Sequence, residues 1–202
     1  FSLAARIEGV ALSEFLSNPT KIANLVKRIY DFFKYDGVVT YLDPELEAEA
    51  IGRRLDLFTI QSINLQGWEK RGRIPVALEA TRRLRIMLRD EVALLAWASG
   101  PATLIRQLTG TEPDWKQKGI GLALETTASI TLLMAKGFCQ MGADLIMINE
   151  DFIPSPASPI FRKWETALSP VWNLTRFYEA FPILSVRMDL SLEEVDPLIG
   201  SE

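Results

Sequence analysis

The chain has no histidine and only one cysteine in 202 residues. The first absence removes the side chain that most often serves as general base or metal ligand near neutral pH. The second excludes a disulfide within the chain. With no signal peptide and no run of about 20 apolar residues, a reducing cytoplasm is the expected compartment, away from any membrane. Positive charge is also scarce: 22 Lys and Arg stand against 26 Asp and Glu, a net charge of −4, so a nucleic-acid partner is not expected. Only Arg82, Arg83, Arg85 and Arg89 form a basic run, which at helical spacing reads as a solvated face, with an anion site as the alternative. The chain opens at Phe1 without methionine, as a fragment or a processed product does.

Hydrophobic residues make up 48% and charged residues 24%, enough to build a core. Asn18 and Pro19 are a helix start signal, followed by one apolar face through Ile22, Leu25, Val26, Ile29 and Phe33. The run DGVVTYLD is β-branched and reads as a buried strand ending at Asp43; Pro44 and three glutamates then read as a first helical turn. The stretch LDLFTIQSINLQGWEKRGRIP is less regular, and VALEATRRLRIMLRD is helical. Strand EVALLAWASG ends at Gly100 and Pro101, with a helix starting near Thr103. After the loop GTEPDWKQKGIG, LALETTASITLLMAKGFCQMG reads as a long buried helix. Strand ADLIMINED leads to the proline-punctuated FIPSPASP, then to a helix over Phe161 to Tyr178 broken near Ser169 and Pro170. The segment FPILSVRMD gives a fourth strand before an acidic tail.

Strands alternating with helices imply an α/β fold with a parallel sheet. The strand ends fall near Asp43, Ser99, Glu150 and Asp189, so each βα unit takes roughly 40 to 55 residues and eight would need about 400. Four units therefore predict about half of an eight-stranded (β/α) barrel of the TIM type, in one domain over residues 1–202; a smaller open α/β sheet is the alternative. A half-barrel leaves two raw sheet edges and an open apolar interior. Either further residues or a second copy, as a homodimer or with a partner chain, would cover them.

Asp43 places a carboxylate where such barrels keep their chemistry, and it also fits a cap for the helix that follows. Glu150 and Asp151 end the third strand, and since neighbours on a strand point to opposite faces, at most one faces inward. Cys139 reads as a small core residue. The aromatic group Trp164, Trp172, Phe177, Tyr178 and Phe181 reads as core or dimer packing. Gly119 and Gly121 form no phosphate loop, and Ser99-Gly100-Pro101 no nucleophile elbow.

The order of YDGVVTYLDPELEAEAIG, RIPVALEATRRLR, SGPATLIRQLTG, MGADLIMINEDF and the segment Ser158-Pro159-x-Phe161 resembles the uroporphyrinogen decarboxylase superfamily, from about Ser2 to Pro182. That superfamily also holds zinc- and corrinoid-dependent methyltransferases. The resemblance implies an eight-stranded barrel with a tetrapyrrole cleft at the C-terminal strand ends. It matches Asp43 to the aspartate under the porphyrinogen, acting without a cofactor. It places Gly100, Pro101, Gln107 and Glu150 among the substrate contacts, with no metal ligand. Where the family shows an arginine-bearing N-terminal motif there is only Arg6. Gln107 stands for a tyrosine, Glu150-Asp151-Phe152 for an aspartate-serine-tryptophan, and the late histidine has no counterpart. The run Glu47 to Ala50 before Gly52 resembles the methyltransferase branch, where zinc is held by a histidine and two cysteines and a corrinoid takes part. The resemblance thus implies three readings: a tetrapyrrole side-chain decarboxylase, a corrinoid-dependent methyltransferase, or a non-catalytic tetrapyrrole- or corrinoid-binding half-barrel.

Overall fold

A computed structural model describes residues 5–6, 9–52 and 54–187. Asn18 starts the first long helix as expected: its side-chain oxygen accepts from the Thr20 and Lys21 amides, both at 3.1 Å, with Pro19 in the first turn. The elements run α1 (Leu12–Leu16), α2 (Pro19–Phe33), β1 (Gly37–Val39), α3 (Leu46–Ile51), α4 (Leu57–Gln61), a 3₁₀ turn (Trp68–Lys70), α5 (Ile74–Leu88), β2 (Ala93–Ser99), α6 (Pro101–Thr109), α7 (Ile120–Gln140), β3 (Leu145–Glu150), α8 (Pro159–Phe177) and β4 (Phe181–Val186). The irregular stretch after Gly52 thus holds a short helix and a 3₁₀ turn.

The four strands form one sheet in the order β1-β2-β3-β4, and every neighbouring pair is parallel. Four long helices, α2, α5, α7 and α8, each precede one strand. Residues in register share a face, so burial assigns the two sides. Leu94, Ala96, Ala98, Ile146 and Ile148 are fully buried under the helices. The opposite residues Leu95, Trp97, Leu145, Met147 and Asn149 are only half-buried. One covered and one open face, on an all-parallel sheet, is part of a TIM-type barrel seen from its hollow side.

Three boundaries differ from expectation. β1 stops at Val39, with a last ladder bond from the Thr40 amide to the Leu95 carbonyl at 2.9 Å, so Asp43 lies in the loop beyond it. The chain turns away because Tyr41 is buried and its hydroxyl donates to the Leu16 carbonyl at 3.1 Å. Pro44 and Glu45 form a turn, and α3 begins only at Leu46. Pro170 does not break α8, which is continuous: Trp164, Leu168 and Val171 bury one face, and that packing outweighs the bond a proline removes. Helix α7 has the length and apolar content of a membrane span, but its buried residues, such as Leu124, Thr131 and Phe138, pack in the helix layer. Asp189 and the acidic tail lie outside the described residues.

Candidate functional site

The C-terminal strand ends open into a cleft of about 910 Å³. Trp97 and Asn149 come from the open face of β2 and β3; Arg106 and Gln107 reach in from α6, Asp151 from the turn after β3, Arg54 from the loop after α3 and Arg187 from the end of β4. Arg106 forms an ion pair with Asp151 and lies over the Phe152 ring at 5.8 Å. Arg54 and Arg187 are exposed and have no acidic partner among the described residues. Three buried polar atoms beside the cleft lack a hydrogen-bond partner among the described residues: Trp97 Nε1, Arg106 Nε and Gln107 Oε1.

Asp43 sits at the rim rather than in this cleft. It borders a second cavity, an apolar groove of about 530 Å³ between α2 and the free edge of β1, and Pro44 lines both. Its Oδ1 accepts from the Glu45 amide at 3.1 Å, and the Asp43 carbonyl accepts from Leu46 N at 3.2 Å, which gives it a turn-capping role. Its Oδ2 lies 2.5 Å from Arg73 Nη1, as an ion pair without hydrogen-bond alignment. The same guanidinium bonds Glu49 and donates to the Tyr41 hydroxyl at 3.2 Å. The bond to Glu49 raises the Arg73 pKa further, and burial pushes Tyr41 up to about 12. Gln107 does reach the Asp43 loop: its Nε2 donates to the Pro44 carbonyl at 2.8 Å.

Gly100, Pro101 and Glu150 do not line the cleft. Glu150 is 0% exposed and points into the helix layer, because alternation along β3 turns Asn149 to the open face and its neighbour away. Its carboxylate accepts from Ala102 N at 3.1 Å, Thr103 N at 2.8 Å and Trp164 Nε1 at 2.7 Å, and so closes the N-terminus of α6. A Cβ on Gly100 would stand 2.3 Å from Glu150 Cδ, so the glycine makes room for that carboxylate. Pro101 is buried at the first turn of α6. Of the two acids at the end of β3, Asp151 is the one that lines the cleft, together with Glu45 and Glu112 from other segments.

A second buried acid escaped the sequence reading. Glu47 on α3 is 1% exposed and accepts from Ser99 N at 3.0 Å and from Ser99 Oγ at 3.1 Å. Burial pushes both Glu47 and Glu150 up to about 7. Trp97 and Asn149 were within reach of sequence, two residues before Ser99 and one before Glu150. Arg73 and Arg187 carried no such signal.

The donor set does not fit zinc. Cys139 is buried on α7, with its thiol pushed up to about 11 by desolvation, and the sequence holds no histidine or second cysteine. No group of three or more possible ligand residues occurs among the described residues, Glu150 and Asp151 included. Three arginines of the basic run are paired: Arg82 and Arg83 both bond Glu79, lowering it to about 2, and Arg85 bonds Asp144.

These features define a partial parallel barrel with a strand-end cleft. The sequence matches the uroporphyrinogen decarboxylase (URO-D) family over residues 2–170, and the chain belongs to that family. No curated protein sequence matches it. Among solved structures it is similar to a methyltransferase from Methanosarcina mazei, with a TM-score of 0.68 at 20% identity. The match covers 95% of this chain but only 63% of the methyltransferase, so it shows a shared fold over part of that longer protein.

Proposed function

We propose that the strand-end cleft binds a carboxylate-bearing tetrapyrrole, and that its reaction is loss of CO2 from an acetate arm without a cofactor. One observation carries this reading. Arg54 and Arg187, two exposed cations without acidic partners among the described residues, flank an aromatic floor at Trp97. Guanidinium groups suit carboxylate arms, and the indole suits the flat ring. The unpartnered atoms of Trp97 and Gln107 favour a ligand that brings both acceptors and donors.

In the reaction a proton adds to the ring carbon next to the one bearing the arm, and the electron pair of the bond to the carboxyl carbon becomes an exocyclic double bond to the ring cation as CO2 leaves. A second proton completes the methyl group, and the ring gives the first one back. Positive charge builds on the macrocycle, and a fixed anion nearby stabilises it. Asp43 has that role here by exchanging Arg73 for ring NH groups, while Arg73 keeps Glu49 and Tyr41 as partners. A cytoplasmic setting fits the single thiol.

Anaerobic incubation with uroporphyrinogen, followed by chromatographic counting of the remaining carboxylates, tests the reaction. Product from the wild-type chain and none from Asp43→Asn supports it; equal product from both rejects the role of Asp43. Methyl transfer is the second reading, favoured by the likeness to the solved methyltransferase. It requires zinc donors that this sequence does not hold. Tetrapyrrole binding without turnover would support the third reading, a non-catalytic binding half-barrel.

A further inference from the structure

The loop that joins α6 to α7 is held to the rest of the molecule by an aromatic side chain rather than by hydrogen bonds. Its two ends are glycines in the left-handed region, Gly110 at φ 79° and Gly119 at φ 94°, where a side chain would be strained. Between them the chain folds on itself: Asp114 Oδ1 accepts from Lys116 N at 2.9 Å, and the Asp114 carbonyl accepts from Gln117 N at 3.0 Å. Among the described residues, every hydrogen bond of residues 111–118 stays inside the loop or goes to the helix ends beside it, and none of these residues forms an ion pair. The anchor is Trp115, half-buried against the Phe152 ring with centroids 6.2 Å apart. Phe152 in turn lies under Arg106, the cleft cation paired with Asp151.

We propose that residues 111–118 are a lid on the strand-end cleft, hinged at Gly110 and Gly119 and latched by Trp115 on Phe152, which lifts to admit the ligand and reseats over it. The position of the loop supports this role. Gly110, Thr111 and Glu112 line the cleft at the near end of the loop, and the latch stands against the cleft wall at Phe152 and Arg106. A self-bonded middle between two glycines moves as one piece, with the φ/ψ changes taken up at its ends. Gln61 Nε2 donates to the Gly119 carbonyl at 3.1 Å and so keeps the far hinge in place. Lifting the lid breaks no hydrogen bond to the sheet or to another helix face, so the seat of the indole governs how often it opens. A seated lid also keeps water from a cation formed in the cleft. This role rests on the reading of the cleft as the ligand site, and it holds whichever ligand enters.

Trypsin tests the latch without any ligand, because Lys116 and Lys118 are the cleavable residues of the lid. Both side chains are exposed, yet a protease cuts there only when the segment leaves its seat. Cleavage after these lysines, read by mass spectrometry, is expected to be about tenfold faster in Trp115→Ala and in Phe152→Ala than in the wild type, with Trp115→Phe close to the wild type. Faster cleavage confined to these two bonds supports the latch. Equal rates there overturn it, and so does a speed-up shared by every tryptic site, which is global loosening. Stopped-flow mixing with uroporphyrin then reads the gate. In Trp115→Ala both association and dissociation are expected to quicken about threefold or more, whereas a residue that merely touches the ligand changes dissociation. Unchanged association in that variant overturns the lid. If uroporphyrin does not bind the wild type, the tetrapyrrole reading falls, and the latch stands or falls on the ligand-free cleavage rates.

Discussion

Arg73 Nη1 lies 2.5 Å from Asp43 Oδ2, and the same guanidinium holds Glu49 and Tyr41. The carboxylate singled out by the sequence is therefore half of a charge-compensated pair, with its side chain 11% exposed. A ligand that uses Asp43 must replace one guanidinium contact, which makes Arg73 a determinant of how readily that anion is available.

Replacing Arg73 by methionine leaves Asp43 and Glu49 without their cation in a partly buried setting. A loss of about 1–3 kcal/mol in urea unfolding is expected, less than for a fully buried pair. A change within about 0.5 kcal/mol would show the pair to be energetically idle. Asp43→Asn keeps the acceptor for Glu45 N and should cost less than Arg73→Met.

Gly100→Ala sets a methyl group against the buried Glu150 carboxyl, 2.3 Å from Cδ. Backbone and carboxylate are both fixed by the start of α6, so overpacking of about 1–3 kcal/mol or more is expected by thermal or urea unfolding. Wild-type stability in this variant would contradict the placement of Glu150.

Glu47 and Glu150 have folded-state values raised from 4.5 to about 7, so the folded chain holds protons there that the unfolded chain has released. Their contribution to stability is present below about 4.5 and is lost as pH rises to about 7. Glu79, Asp31 and Asp56 are shifted the other way and titrate at lower pH, so they leave the window from about 5 to 8 clear. The unfolding free energy from urea titration is expected to fall across that window by about 1 kcal/mol or more. Glu47→Gln should flatten the slope, since the amide still accepts from Ser99 N. A flat wild-type profile would count against both buried acids.

Much of the fold was legible because it follows local patterns. Asn18 with Pro19 announced α2, and the four apolar runs announced four parallel strands. Misplacements arose where a neighbour decides. β1 ends early because Tyr41 is drawn toward Leu16, a partner 25 positions away in sequence. Pro170 was read as a break, yet the buried face of α8 carries the helix through it. The site was less legible. Strand alternation, applied to Asn149 and Glu150, would have turned Glu150 inward to the helices. The pairing of Asp43 with Arg73 and of Glu47 with Ser99 joins segments that only the folded sheet brings together.

The most direct test of the central claim is binding. Uroporphyrin, with eight carboxylates, and etioporphyrin, with none, would be titrated against the chain while Trp fluorescence and porphyrin absorbance are followed. The account predicts saturable uroporphyrin binding that weakens with salt and falls about tenfold in each of Arg54→Ala and Arg187→Ala. Equal affinity for the two porphyrins, or uroporphyrin binding unchanged in both variants, would contradict a carboxylate-gripping cleft at the strand ends.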